Sequence, residues 1–259
     1  MAAPAFDAYA ACYAYGASAW RLGPLNLSVA SGSLTGVIGP NGSGKSTLLA
    51  LLARRVHGQG EIRFFSRSIR DFGSRAWARS AGYLPQQVQA QFNFTVEETV
   101  AFGRYARTDF MGFLDAHDRE VVARCLAQAE MTALRDRPLH ALSGGERQRA
   151  HLAAVMAQEP QVLLLDEPTA ALDIHHQVAL FHLLRQCTDD GMTVILATHD
   201  LTLAAHFCDT LLLLSNGQLE ASGRPDEVME QGLIQKVYGE NVRVVEHPES
   251  GSPVVLPAW

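Results

Sequence analysis

At 259 residues with 47% apolar side chains, the chain is long enough to bury a real core as one large domain or two small ones. A net charge of −6 argues against nucleic acid or an anionic membrane surface as the main partner. The four cysteines (Cys12, Cys125, Cys187 and Cys208) form no C-x-x-C pair, which disfavours a zinc site or a disulfide framework and fits a reducing, cytoplasmic setting.

The alanine-rich first twenty residues carry only Asp7 as a side-chain charge and are interrupted by tyrosines. They lack the basic and continuous apolar segments of a secretory signal, and no apolar run approaches the ~18 residues of a membrane helix. The chain therefore reads as soluble by itself. Phe6–Tyr15 is short on breakers, and Gly16 marks a turn. Leu25, Leu27 and Val29 alternate with polar neighbours, as in a half-buried strand. An aromatic in this early β-layer, Tyr15 or alternatively Tyr13, is placed to stack on a purine ring.

Leu34–Ile38 reads as a short buried strand, and Leu48, Leu49, Leu51 and Leu52 fall at helical spacing. Between them, Gly39-Pro40-Asn41-Gly42-Ser43-Gly44-Lys45-Ser46-Thr47 satisfies the phosphate-loop pattern G-x-x-x-x-G-K-[ST]. Glycines let successive N–H groups turn inward around anionic oxygens, and the following helix offers its partly positive N-terminus. Lys45 supplies a point charge to the phosphates and the Ser46 hydroxyl a ligand for Mg²⁺. This stretch predicts nucleoside triphosphate binding.

Beyond it, Glu61–Phe65 is a strand candidate, Trp77 lies in a short helix, and Ala81–Gln87 is a strand ending at Pro85. Val88–Phe94 is a polar loop or hinge. Thr95-Val96-Glu97-Glu98 is a capping box opening a helix through Phe102 and Tyr105. A loop near Asp109–Leu114 precedes a helix whose apolar face is Val121, Val122, Cys125, Leu126 and Ala129. This all-helical stretch, about 88–141, reads as a subdomain inserted between strand–helix alternations.

Leu142-Ser143-Gly144-Gly145-Glu146-Arg147-Gln148-Arg149 starts another helix through the capping spacing of Ser143 and Glu146. Its serine and two glycines make a second anion site. Val162–Leu165 is an apolar strand leading into Asp166 and Glu167. The Asp166 carboxylate emerges at the sheet edge, where it can hold Mg²⁺ with Ser46, and Glu167 is placed as general base for water. Thr193–Ala197 is a further buried strand with His199 beyond its end. His175 and His176 read as the exposed start of a helix and are assigned no metal.

LSGGERQR resembles the signature run of ABC-type ATPases, and the other motifs follow in order. Asp166-Glu167 is similar to the family's Walker B end, Ala171-Leu172-Asp173 to its D-loop, His199 to its switch histidine, Gln86 to its Q-loop and Tyr15 to its base-stacking aromatic. The resemblance implies an α/β fold: a P-loop NTPase (RecA-like) core with an N-terminal antiparallel β layer and an inserted all-α subdomain, over 1–259 as a single nucleotide-binding domain. It implies ATP and Mg²⁺, with Ser46, Gln86 and Asp166 at the metal and Glu167, His199 and Gln86 as the catalytic set. It also implies a homodimer in which Ser143, Gly144, Gly145 and Glu146 of one copy close over nucleotide held by the other.

The remaining chain reads as a hairpin about Asn216-Gly217, short helices at Pro225–Glu230 and Leu233–Tyr238, and a final hairpin over 242–256. Ala101-Phe102-Gly103-Arg104-Tyr105, Leu172–Gln177 and Val242–Glu246 are similar to importers of iron siderophores, haem or cobalamin. That resemblance implies integral-membrane permease subunits, a periplasmic or surface substrate-binding protein acting indirectly, and a peripheral position at the cytoplasmic face of the cell membrane. An ABC exporter or a non-transport ABC ATPase is the alternative.

Overall fold

A computed structural model describes residues 3–16, 20–87, 93–108 and 113–258. The chain opens with strands β1 (Phe6–Ala14) and β2 (Arg21–Val29), then β3 (Leu34–Ile38), helix α1 (Lys45–Leu52), and strands β4 (Gln59–Phe64) and β5 (Arg67–Ser68). The order β2-β1-β4-β5 makes a four-stranded antiparallel sheet. α2 (Ser74–Ser80) and β6 (Ala81–Leu84) follow. Then come α3 (Val96–Phe102), α4 (Ala116–Gln128) and α5 (Gly144–Met156), with no strand among the described residues between β6 and β7 (Val162–Asp166).

α6 (Ile174–Asp189), β8 (Thr193–Ala197), α7 (Leu201–Phe207), β9 (Thr210–Ser215) and β10 (Gln218–Gly223) complete a second sheet of order β10-β9-β3-β8-β7-β6. Only β10 is antiparallel to its neighbour. Every residue of β3, β7 and β8 is buried, as expected of parallel strands covered on both faces. The period of two divides them cleanly. Leu163, Leu165, Val194 and Leu196 face a core shared with α3–α7, while Val162, Leu164, Ile195 and Ala197 face α1 and the antiparallel sheet.

This order brings the carboxyl ends of β3, β8, β7 and β6 side by side, so the segments at Gly39, His199, Asp166 and Gln86 emerge along one edge. The edge is where ligands of open α/β sheets bind.

The helical stretch is built on capping. Thr95 and Glu98 form the expected reciprocal box at α3, and Asp115 and Asp118 form a second at α4 that the sequence reading missed. Contrary to expectation α3 does not continue through Tyr105; it stops at Phe102, and residues 103–108 follow as turns. Here α3 meets α5 closely, since a Cβ at Gly103 would lie 2.1 Å from the Ala154 carbonyl oxygen, and the N–H groups of Gly103, Arg104 and Tyr105 donate to carbonyls three residues back in place of four. α3 and α4 both pack on α5, so the helical layer runs past Ala141 to Met156. The expected hinge at Val88–Phe94 and the loop at Asp109–Leu114 lie largely outside the described residues.

β9 and β10 turn through Asn216 (φ 48°) and Gly217 (φ 78°), the paired left-handed conformation of a type I′ hairpin. α8 (Pro225–Val228), α9 (Gln231–Tyr238), β11 (Val242–Glu246) and β12 (Pro253–Pro257) end the fold. β12 lies against α7 and β11 against α9.

Phe64, 1% exposed, meets Phe6, Phe72 and Trp77 edge-on at centroid distances of 5.2, 5.6 and 5.2 Å. It ties the antiparallel sheet to α2. Phe64→Ala is expected to lower unfolding free energy by about 3–5 kcal/mol in urea titration. A loss under about 1 kcal/mol would show that this aromatic cluster does not hold the layer.

Candidate functional site

β3 ends at Ile38, and the loop that follows is shaped for close backbone approach. Gly39 (φ 149°) lies so near β9 that a Cβ would fall 2.2 Å from the Leu214 carbonyl oxygen. Gly44 stands at the N-cap of α1 in a left-handed conformation (φ 108°), and among the described residues no side chain caps that helix. Its first N–H groups are therefore left for a ligand. The Ser43 hydroxyl oxygen is also buried with no hydrogen-bond partner among the described residues.

Lys45 is 5% exposed, and its ammonium donates to the carbonyl oxygens of Gly39 at 2.8 Å and Pro40 at 3.3 Å. Burial lowers its pKa, while the carboxylates of Glu167 and Asp166 pull it back up. The charge thus rests on two neutral acceptors that a phosphate can replace.

Opposite the loop, β7 delivers Asp166, 3% exposed, whose Oδ1 accepts from Ser46 Oγ at 2.9 Å. Burial raises the Asp166 pKa, the Ser46 hydrogen bond opposes that, and nearby Glu167 adds to it. A buried carboxylate beside a hydroxyl and an ammonium is a hard-oxygen environment short of positive charge. That donor set fits Mg²⁺, with Ser46 and Asp166 as the protein oxygens. Gln86 spends its amide nitrogen on Glu167, so its amide oxygen is the atom that would face the cation.

Glu167 follows in a left-handed conformation (φ 48°), fixed by its N–H donating to the Ala197 carbonyl of β8 at 3.0 Å. The turn aims its carboxylate away from Asp166's burial and toward Gln86 and His199. Gln86 Nε2 donates to Glu167 Oε2 at 2.7 Å, and His199 Nδ1 lies 3.9 Å from the same oxygen. β6, β7 and β8 thus each send one polar group to a single point.

Tyr15 and Trp20 flank the loop with their rings 6.1 Å apart and 31° from parallel. The Tyr15 hydroxyl lies 3.3 Å from Thr47 Oγ1, and Tyr13 meets the Tyr15 ring edge-on at 4.8 Å. A cavity of about 860 Å³ is lined by Tyr15, Trp20, residues 41–47, Gln86, Glu167 and His199. Tyr13 is not among its described lining residues. Trp20 went unnoticed in the sequence; its one signal was an aromatic at the mouth of β2, across the turn from Tyr15.

The second anion site lies elsewhere. Among the described residues, none of Ser143, Gly144, Gly145 and Glu146 lines the cavity. Ser143 is exposed at the N-cap of α5 and accepts from the Glu146 N–H at 3.3 Å, while Glu146 accepts from the Ser143 N–H at 2.8 Å. Gly145 lies against Ala171 and Leu172, and Asp173 caps α6 by accepting from the His176 N–H at 3.0 Å. His176 turns its ring to the same Asp173 carboxylate at 2.8 Å.

A glycine cradle with a lysine at its mouth, set against carboxylates from the next parallel strands, is the working geometry of a P-loop nucleoside triphosphatase. Residues 22–170, more than half of the chain, match the ABC transporter family. The chain is 41% identical over 234 residues to a haemin import ATP-binding protein of Streptomyces coelicolor, covering 90% of this chain and 83% of that one. It is 37% identical to a ferric enterobactin transport ATP-binding protein of Escherichia coli over 90% of this chain and 87% of that one. Among solved structures, an inward-facing metal-chelate type ABC transporter superposes with a TM-score of 0.84 at 27% identity, covering 99% and 98% of the two chains. The protein belongs to the ABC transporter family and is an ABC ATPase.

Lys45→Met removes the one lysine at the cradle while keeping its apolar stem. Calorimetric titration with ATP is expected to show affinity reduced by about 10- to 100-fold, the worth of charge-assisted hydrogen bonds. Unchanged affinity would place the nucleotide elsewhere.

Proposed function

We propose that this protein is the ATP-hydrolysing subunit of an importer for iron chelates, haem or ferric siderophore, with cobalamin the third cargo of the class. The observation that carries the reading is likeness to the haemin import ATP-binding protein along nine-tenths of the chain, far beyond the nucleotide motifs. Among the described residues no helix is long and apolar enough to cross a membrane, so the membrane path belongs to separate permease subunits. The subunit works at the cytoplasmic face, and a periplasmic or surface binding protein delivers cargo on the other side. Phe102, Tyr105 and Phe113 of this region are large exposed apolar side chains, the kind that a permease contact would cover.

Two copies meet head to tail. The cradle of one holds ATP, and the α5 N-terminus of the other, with Ser143, Gly144 and Gly145 and the nearby Asp173, closes over the phosphates. This arrangement accounts for a complete anion site lying outside the cavity. Lys45 leaves the Gly39 and Pro40 carbonyls for the phosphates, and the Ser43 hydroxyl gains a partner. The purine stacks on Tyr15, with Trp20 beside it. Ser46, Asp166 and Gln86 would hold Mg²⁺, which supplies neutralising charge at the phosphate oxygens. Glu167 takes a proton from the attacking water, and Gln86 and His199 orient its carboxylate and the water between them.

Glu167→Gln is expected to cut ATP turnover by about 10²- to 10⁴-fold with ATP affinity retained. Near-normal turnover would remove Glu167 from the base role. Tyr15→Ala is expected to weaken ADP binding by about 1–3 kcal/mol, and no change would hand the stacking role to another ring. For cargo, the subunit reconstituted with its permease is tested against binding proteins loaded with haem, ferric siderophore or cobalamin. At least one is expected to stimulate ATP hydrolysis, and failure of all three would contradict the importer reading in favour of export.

A further inference from the structure

Gly103-Arg104 lies outside the nucleotide cavity, yet its setting is densely paired. Arg104 is 2% exposed, and its guanidinium reaches three partners. Nε donates to Asp118 Oδ1 at 2.7 Å on α4. Nη1 donates to the carbonyl oxygen of Ala157, the C-cap of α5, and to Glu159 Oε2, each at 2.8 Å. Arg124 of α4 donates to the other Glu159 oxygen at 2.8 Å. Glu159 is itself held in a left-handed conformation (φ 46°) at the step from α5 toward β7. Arg107 donates to the Gln158 and Glu159 carbonyls, both at 2.7 Å.

The chemistry suits arginine alone. A planar fork spans a carboxylate, a helix-terminal carbonyl and a second carboxylate, whereas an ammonium is a point charge that cannot reach all three. Removing one partner of such a buried set leaves charge uncompensated, so the cluster holds one arrangement firmly.

Its place gives that rigidity a direction. α5 has 13 residues, so its axis spans about 20 Å. Arg104 grips the C-terminal end, and Ser143 caps the N-terminal end. A small change of tilt at the gripped end moves the serine far more than the arginine. Phe102 and Tyr105, on either side of Arg104 in sequence, are 52% and 76% exposed. The same turn therefore presents two exposed rings outward and the arginine inward.

We propose that Arg104 is a positioning residue that sets the tilt of α5, and through it the fit of Ser143 and Gly145 to the nucleotide held by a second copy. The proposal rests on the head-to-tail reading above. Arg104 touches no nucleotide; it acts through the helix.

The test uses the full chain carrying Glu167→Gln, so that ATP persists, and compares Arg104→Lys with Phe64→Ala. Phe64 is buried in the antiparallel sheet, in a different core from α5, so its truncation reports simple loss of stability. Two quantities are read: ATP affinity of the dilute single subunit, and the ATP concentration for half-maximal dimerisation by light scattering. Arg104→Lys is expected to keep single-subunit affinity within about twofold while raising the dimerisation midpoint by about tenfold. Phe64→Ala, at an equal or larger fall in thermal midpoint, is expected to leave the dimerisation midpoint within about twofold. Equal dimerisation midpoints for the two variants, or parallel loss of ATP affinity with Arg104→Lys, would overturn the proposal. Should Arg104→Lys fail to fold, Glu159→Gln weakens the same grip from the carboxylate side and must give the same split; an unaltered midpoint overturns the proposal. Absence of ATP-driven dimerisation in the parent protein is a separate result, which defeats the head-to-tail reading and this proposal with it.

Discussion

An uncapped helix N-terminus is the constraint around which this protein is built. α1 begins at Gly44 with no side chain to satisfy its first N–H groups, and the neighbouring Ser43 hydroxyl is buried and unpaired among the described residues. Unsatisfied buried donors cost free energy unless an anion or water meets them. The fold bears that cost because α1 is clamped on its other side: Leu48, Leu49 and Leu52 are fully buried between the two sheets. Lys45 waits on two carbonyls instead of a carboxylate, and so remains available to the ligand that completes the site.

The parallel sheet converts this local deficit into a reaction centre. Because β3, β8, β7 and β6 are adjacent, their carboxyl ends set hydroxyl, carboxylates, amide and imidazole around one loop. Asp166 and Glu167 are consecutive in sequence but sit in different environments. One is buried beside Ser46; the other is turned by a left-handed backbone toward Gln86 and His199. In the proposed mechanism that divergence would let one pair of carboxylates serve metal and proton separately. The same sheet sends α5 to another face, so in the proposed dimer the serine-capped helix start meets the nucleotide held by a second molecule.

Much of this was legible in the chain, for physical reasons. Apolar five-residue strands, a glycine loop of fixed spacing and serine or threonine caps with glutamate three residues on are local signals, and β3, β7, β8, α3 and α5 lie where those signals place them. What escaped depends on partners distant in sequence. Trp20 joins the cavity only because β2 folds back beside Tyr15. α3 gives way to tighter turns where Gly103 meets the backbone of α5, about fifty residues away, a contact no helical periodicity encodes. The Asp115–Asp118 box departs from the usual pattern, because its last residue is aspartate in place of glutamate or glutamine. Arg104 reads as one more arginine until Asp118 and Glu159 converge on it.

The central claim is that each reaction centre is shared between two copies of the chain. Mixing two variants tests it most directly: one copy carries Lys45→Met, the other Ser143→Arg, and ATP hydrolysis is measured for each alone and for the mixture. Each variant alone lacks a complete centre in either geometry. A shared centre predicts that the mixture regains activity, because the mixed dimer contains one site with an intact Lys45 facing an intact Ser143. A mixture as inactive as its components would show that cradle and serine act within one chain, and would contradict the account.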